Sequence, residues 1–256
     1  AYENGELSIE DINLSAKRIL IFIMKSKKMR GYNFNNNPNL DKNAIVTRES
    51  ASEGMVMLKN ENILPFKNID NIALIGVTSY HFISGGTGSG DVEEAYTISL
   101  KGALKESGFQ INEISSNVFE SHRLANEEEF EKKDAFTAMW DPSTPPEIKY
   151  SEELLQESAK TADVAINTIG RNSGETADRA EKDDFLLSEE EFKMIKKTCE
   201  VYHSFGKKVL VVLNVGGVIE TASWNSLPDG ILLAWQGGQE GGNSVVDILK
   251  GKVNPS

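Results

Sequence analysis

Two polar loops of the sequence contain the residue types that could do chemistry. The first, Gly85 to Asp91, reads GGTGSGD, and the second, Ser173 to Arg179, reads SGETADR. Ser89 in the first loop has a hydroxyl that can both donate and accept a hydrogen bond, which suits a ligand that carries hydroxyl groups. Glu175 in the second loop is a carboxylic acid that could give up and recover a proton if its surroundings raise its pKa.

The glycine-rich loop suggests a phosphate site at first sight, but its spacing is wrong for one. A Walker loop ends in Gly-Lys-Ser/Thr, whereas Gly90 is followed by Asp91 and Val92. A dinucleotide-binding loop needs a third glycine where Asp91 stands, and its first glycine directly at a strand end. From spacing alone two interpretations stay open, a flexible loop in solvent or a close approach of the backbone to a neutral ligand.

The second loop has an ordinary interpretation beside the functional one. A lone glutamate such as Glu175 in a polar loop is commonly a solvated surface group, and Asp178 with Arg179 is commonly a local ion pair. Position favours a functional role, because the loop follows a buried strand and site residues collect in such loops.

Apolar strands that alternate with amphipathic helices must position these loops. Runs rich in Val, Ile and Leu predict strands at Ile72 to Val77, Asp163 to Ile169, Lys208 to Leu213 and Gly230 to Trp235. The alternation predicts an α/β fold, with a mostly parallel sheet sandwiched between helices. Ligands of such sheets bind beyond the carboxyl ends of the strands, and both loops leave those ends.

Residues 1–40 have a pattern of their own. A capping box at Ser8 begins a predicted helix, and an Asn-rich linker runs from Asn33 to Pro38. We therefore expect a helical arm over residues 1–40 and an α/β domain over residues 41–256.

Two parts of that domain have weaker patterns. A helix is predicted from about Asp41 to Lys59. The stretch from Ser115 to Tyr150 is predicted to be acidic and irregular, with a candidate helix near Glu127. Trp140 in that stretch is interpreted as a packing anchor or a platform on which a sugar stacks. Trp224 and Trp235 lie in or beside regular elements and are expected in the core.

Charge and composition argue against several kinds of partner. The chain has 27 Lys and Arg against 39 Asp and Glu, and its net charge of −12 repels nucleic acid. The longest apolar run, Ile19 to Met24, is far shorter than the roughly 20 residues that span a bilayer, so no membrane partner is expected. Cys199 is the single cysteine, which excludes an internal disulfide and is compatible with a reducing, cytoplasmic compartment. The three histidines lack metal-ligand spacing, and no metal site is expected.

Five segments, in order along the chain, resemble glycoside hydrolase family 3, a family that contains β-glucosidases. They are ESASEGMVMLKNENILPF (Glu49 to Phe66), GGTGSGD (Gly85 to Asp91), SGETADR (Ser173 to Arg179), GKKVLVVLNVGGVIE (Gly206 to Glu220) and DGILLAWQGGQEGGN (Asp229 to Asn243). The segment NGELSIEDINLSAKRIL, from Asn4 to Leu20, is similar to the helix that closes the family's preceding (β/α)8-type barrel. The resemblance implies the family's C-terminal α/β sandwich domain, with the tail of that barrel before it.

The resemblance also implies a function and assigns site residues. It implies a retaining β-glycosidase, with β-glucosidase activity expected, whose site lies between barrel and sandwich domain. Glu175 takes the acid/base role and Ser89 a hydrogen bond to a sugar hydroxyl, while Asp178 and Arg179 shape the loop or form a buried ion pair. The implied substrate is a β-glucoside or a related oligosaccharide, the implied partner is the preceding barrel domain, and neither metal nor organic cofactor is needed.

The sequence departs from the family in two respects. Thr176 stands where the family commonly has glycine, which puts the conformation of that loop in question. The family's nucleophile motif, SDW, lies in the barrel and has no counterpart in this sequence. Because double displacement needs two carboxyl groups, we expect this chain alone to be inactive.

Two other functions stay open at this point. A stand-alone carbohydrate-binding module would use the same two loops without a barrel. A nucleotide-binding protein of the doubly wound type is disfavoured by the glycine spacing and by the acidic charge.

Overall fold

In the computed structural model the chain divides into two units, Ala1–Leu40 and Asp41–Ser256. The structure describes residues 1–92, 94–131, 133, 137, 145–172 and 178–256, and for Ser89 the backbone alone.

The regular element of the first unit is helix α1, Ile9–Met24. Ser8 caps it as predicted: its hydroxyl accepts the N–H of Asp11 at 3.1 Å, and the Asp11 carboxylate accepts the N–H of Ser8 at 3.1 Å. No residue of α1 is buried, and Phe22 is 79% exposed. That this unit is the end of a barrel domain stays a prediction.

The second unit contains seven α-helices and six strands among its described residues. The helices are α2 Leu40–Gly54, α3 Leu100–Glu106, α4 Glu113–Ala125, α5 Glu127–Phe130, α6 Glu152–Thr161, α7 Glu189–Ser204 and α8 Gly241–Leu249. The strands are β1 Val56–Asn60, β2 Asn71–Ile75, β3 Gln110–Ile111, β4 Val164–Arg171, β5 Lys208–Val215 and β6 Gly230–Leu233. No helix among the described residues is both long and apolar enough to cross a membrane.

The described strands form one sheet in the order β1-β6-β5-β4-β2-β3. All neighbouring pairs are parallel except β1 and β6, which are antiparallel. The centre of the sheet is the eight-residue pairing of β4 with β5, from Val164 opposite Lys208 to Arg171 opposite Val215. Both strands are buried over most of their length, as expected for a parallel sheet with both faces covered.

Helices cover the sheet in two groups. In one group α6 contacts both α4 and α7, and in the other α3 contacts α8. Serines begin three of these helices, with Ser99, Ser151 and Ser188 each accepting a backbone N–H in the first turn. The architecture confirms the predicted mostly parallel sheet sandwiched between helices.

Two predictions of secondary structure within this unit are wrong, whereas the helix predicted near Glu127 is confirmed as α5. The helix predicted from Asp41 to Lys59 ends at Gly54, because Val56–Asn60 pairs with β6 as an edge strand. The stretch from Ser115 to Tyr150 contains helix α4, whose apolar side rests chiefly on Phe119. The Phe119 ring stacks on Tyr80 at 4.0 Å between centroids.

Candidate functional site

The candidate site lies at the edge of the sheet where the parallel strands end. β2, β4, β5 and β6 run in one direction, so the loops that follow them leave the same edge. The loop after β2 contains GGTGSGD, and the loop after β4 contains SGETADR.

Asn214, near the end of β5, fixes the start of the glycine-rich loop. Its side chain is fully buried, and its Oδ1 accepts the N–H of Ile83 at 2.7 Å. Its Nδ2 donates to the carbonyl of Ile83 at 2.9 Å and to the carbonyl of Trp235 at 2.8 Å. One side chain therefore joins the loops after β2 and β6 to the central strand, with its acceptor and its amino group both in use.

Ser84 closes the base of the glycine-rich loop. Its hydroxyl donates to Glu94 Oε1 at 2.5 Å, and its carbonyl accepts the N–H of Gly238 at 2.9 Å. The glycines therefore lie in a loop whose two ends are joined by the hydrogen bond between Ser84 and Glu94.

Ser89 belongs to the short helical turn Gly88–Gly90 in the glycine-rich loop. Its predicted bond to a sugar hydroxyl concerns a side chain that the structure does not describe, so the role stays a prediction. The position of the glycines disfavours a nucleotide site, because β2 ends at Ile75, ten residues before Gly85. The next α-helix along the chain begins only at Leu100, so no helix N-terminus directly follows the glycines.

The end of β4 lies directly against the residues that precede the glycine-rich loop. A Cβ atom on Gly170 would stand 2.3 Å from Cγ2 of Thr78 and 3.0 Å from Cδ1 of Ile83, so there is no space for a larger residue. Gly85 follows Ile83 by two residues, and Glu175 follows Gly170 by five. The two predicted site loops therefore leave neighbouring positions at the sheet edge.

Glu175 itself, with the rest of residues 173–177, lies outside the described residues, and so does Trp140. The acid/base role of Glu175 stays a prediction, as does the effect of Thr176. The structure describes what flanks this segment on both sides.

Arg171, the last residue of β4, is held by a carboxylate on the neighbouring helix. Its two terminal nitrogens donate to the two oxygens of Glu191 at 2.5 and 2.6 Å, and these side chains are 11% and 9% exposed. Glu191 also accepts the N–H of Ser188 at 2.8 Å and so completes the capping box of α7. The paired hydrogen bonds fix the direction of the guanidinium as well as its charge.

Arg179 pairs with Asp184. Its Nε donates to the two carboxylate oxygens at 3.0 and 3.1 Å, and one terminal nitrogen donates to Oδ1 at 2.5 Å. The other terminal nitrogen donates to the carbonyl of Val218. The Arg179 guanidinium lowers the pKa of Asp184 below its ordinary value, chiefly through these hydrogen bonds.

Of the two roles expected for Asp178 and Arg179, the buried ion pair is wrong, because Arg179 pairs with Asp184, and the shaping of the loop stays a prediction. Asp178 is exposed and, within the part of the chain that the structure describes, has neither a hydrogen bond nor an ion pair. The turn Glu181–Phe185, in which Asp183 has a φ of 61°, returns the chain to Arg179 and supplies Asp184 instead. This pair is partly exposed, with about a third of each side chain accessible, so it is not the buried pair that was expected.

Glu147 is a carboxyl group at this edge that the sequence analysis missed. Its Oε1 accepts the N–H of Val77, just beyond β2, at 3.0 Å and the N–H of Ile148 at 2.8 Å. Burial is the largest influence and raises the pKa of Glu147 from 4.5 to about 7, despite these two hydrogen bonds. Within the described ranges, no three His, Cys, Asp or Glu residues are grouped so that they could hold a metal ion.

Trp235 is a second missed feature. Trp224 is fully buried as predicted, but Trp235, immediately after β6, is 38% exposed and has a positive φ of 54°. Its Nε1 donates to the carbonyl of Gly54 at 3.0 Å. The prediction that it lies in the core is wrong, because the strand ends before it and the indole turns to the end of α2.

Comparison with known proteins finds relatives over nearly the whole chain. The model of the "Glycosyl hydrolase family 3 C-terminal domain" matches residues 55–256. Beta-glucosidase A of Butyrivibrio fibrisolvens is 35% identical over 236 residues, which cover 81% of this chain and 27% of that protein. Thermostable beta-glucosidase B of Acetivibrio thermocellus is 28% identical and covers 100% of this chain and 30% of that protein.

A solved structure agrees with these matches. Beta-glucosidase 3B from Thermotoga neapolitana, in complex with glucose, superposes on 99% of this chain with a TM-score of 0.84 and 38% identity. The match covers 35% of that protein, so this chain spans about a third or less of the length of the relatives described here. Family model, relatives and fold agree, and the chain belongs to the C-terminal domain of glycosyl hydrolase family 3.

Proposed function

We propose that this chain supplies the acid/base Glu175 to a retaining β-glycosidase whose nucleophile lies on a preceding barrel domain. The observation that carries the proposal is the contact at Gly170, where the strand that leads to Glu175 meets the base of the loop that contains Ser89. The relatives are named beta-glucosidases, which supports a β-glucoside as the substrate.

The proposed reaction has two steps. A carboxylate outside this chain attacks the anomeric carbon, the glycosidic C–O bond breaks, and Glu175 gives its proton to the departing oxygen. Glu175 then takes a proton from water as the water oxygen attacks the anomeric carbon and displaces the nucleophile, so the released sugar keeps its configuration. Ser89 orients the ring through a hydrogen bond to a sugar hydroxyl.

The charges around the Glu175 segment suit an acid that must hold its proton. A free guanidinium beside Glu175 would lower its pKa and so weaken it as a proton donor at neutral pH. Both flanking arginines have carboxylate partners, Arg171 with Glu191 and Arg179 with Asp184. Their charges are therefore largely balanced by groups other than Glu175.

The proposal can be tested in a graft. Residues 1–256 replace the matched region of the Thermotoga neapolitana enzyme, and hydrolysis of 4-nitrophenyl β-glucoside is followed. We expect the graft to be active and the isolated chain to be inactive. Glu175→Gln should lower kcat by a factor of about 100 or more, whereas the control Glu181→Gln, at an exposed glutamate of the same loop, should leave it unchanged.

A second assay addresses the role of Glu175 directly. In Glu175→Ala, azide should restore turnover of 2,4-dinitrophenyl β-glucoside and give a glycosyl azide, because azide attacks without a general base. An active graft that Glu175→Gln does not slow would refute the acid/base role. Hydrolysis by the isolated chain that Glu175→Gln abolishes would refute the need for an outside nucleophile.

A further inference from the structure

Both ends of the segment that contains Glu175 are attached to one residue, Asp184. Arg171 stands just before this segment, residues 172–178, and Arg179 stands just after it. Nε of Arg171 donates to the backbone carbonyl of Asp184 at 2.9 Å and lies 3.9 Å from its Oδ1. Arg179 donates to the carboxylate of Asp184 and, at 3.1 Å, to the same carbonyl oxygen. Asp184 thus joins the residues that flank this segment on its two sides.

Asp184 is itself held in place by its own turn and by the next loop. Its Oδ2 accepts the N–H of Ala180 at 3.2 Å, and the N–H of Phe185 donates to the carbonyl of Ala180 at 3.0 Å. The carbonyl of Phe185 accepts the N–H of Glu220, in the loop after β5, at 2.8 Å. A carboxylate on such a turn can hold a loop in place, whereas an exposed ion pair between two mobile side chains contributes little.

We propose that Asp184 is a positioning residue. Its carboxylate holds Arg179 at one end of the segment that contains Glu175, and its backbone carbonyl accepts from both Arg171 and Arg179, so that Glu175 is aimed at the glycosidic oxygen. The inference rests on the proposed function, since it needs Glu175 to be the acid/base. Asp184 acts through Arg171 and Arg179 and has no contact with substrate in this proposal.

A displaced acid has a characteristic effect on rates. Proton transfer to the departing oxygen matters most when the leaving group is poor, as with the sugar of cellobiose. It matters little for 2,4-dinitrophenolate, which leaves without a proton. Loss of stability lowers the rates with both substrates equally, so the ratio of their kcat/KM values separates the two effects.

The test compares Asp184→Asn with Asp183→Asn in the graft. The two variants lose the same charge at adjacent positions, and asparagine tolerates the positive φ of residue 183. For Asp184→Asn we expect kcat/KM on cellobiose to fall by a factor of about 10, and on 2,4-dinitrophenyl β-glucoside by less than about 2. Asp183→Asn should match the unsubstituted graft on both substrates.

A second variant and a second measurement keep the test decisive if Asp184→Asn folds poorly. Arg179→Lys keeps the charge but loses the planar fork, and it should show the same dependence on the leaving group. In the 256-residue chain, Asp184→Asn should speed hydrogen exchange in peptides over residues 172–180, whereas Asp183→Asn should not. Equal falls on both substrates, or unchanged rates and exchange, would overturn the role of Asp184. Full activity of Glu175→Gln would instead overturn the proposed function.

Discussion

Replacing Glu147 by glutamine tests how the raised pKa of this carboxyl group makes the free energy of unfolding depend on pH. The two backbone N–H groups of Val77 and Ile148 donate to its Oε1, and glutamine keeps an oxygen there for both. Arg171 and Glu191 are the charged groups that influence it most, and they act in opposite directions. The substitution therefore removes a titration while it retains the hydrogen bonds.

The sign of the effect follows from the raised pKa. The folded state holds the proton up to about pH 7, whereas the unfolded chain releases it near 4.5. The folded state binds more protons between these values, so the contribution of Glu147 to stability is fully present below pH 4.5 and is lost as the pH rises through 7. Linkage between these two pKa values gives a loss of roughly 2 kcal/mol between pH 5 and pH 8.

Urea unfolding of the 256-residue chain and of Glu147→Gln at both pH values measures this loss. Far-UV circular dichroism and tryptophan fluorescence report the transition, with fully buried Trp224 as a sensitive probe. We expect the two proteins to be similar at pH 5 and the variant to be more stable by about 2 kcal/mol at pH 8. Taking the difference between the proteins cancels the contributions of the groups that both proteins contain.

The control for this experiment is Glu157→Gln, at an exposed glutamate on α6. It should follow the unsubstituted chain at both pH values. A difference between Glu147→Gln and the unsubstituted chain that does not change with pH would refute the reasoning, because the partly buried Glu147 carboxyl would then have no titration between these pH values.

Three further predictions concern single positions. Gly76→Ala should destabilise the chain by roughly 2–4 kcal/mol in urea unfolding, because φ is 95° and a Cβ would stand 2.5 Å from the carbonyl oxygen of Thr168. The control Gly90→Ala, which has open space around it, should cost less than about 0.5 kcal/mol. Asn214→Ala leaves the partners of a fully buried amide unpaired and should cost roughly 2–4 kcal/mol, measured in the same way. Burial raises the pKa of Cys199 to about 12, so Ellman's reagent should label it only after unfolding in guanidinium chloride; rapid labelling of the folded chain would contradict its burial.

The central strands could be predicted from the sequence because each is buried on both faces. Such a strand is a nearly continuous apolar run, and β2, β4, β5 and β6 all coincide closely with predicted runs. The two errors have the opposite cause. β1 is a half-exposed edge strand that directly follows α2, and α4 has only one large apolar side chain that is buried, Phe119.

For the site, the sequence by itself determined that Ser89 and Glu175 stand in segments that follow β2 and β4, and that the chain resembles the family, because residue type and order are enough for both. Only the tertiary structure decided which groups meet there. In the structure Arg179 pairs with Asp184 instead of Asp178, and Arg171 pairs with Glu191. Glu147 accepts a hydrogen bond from Val77, just beyond the end of β2. The physical reason is that an ion pair or a buried carboxyl depends on distances fixed by turns and by strand pairing, and adjacency in sequence does not determine those distances.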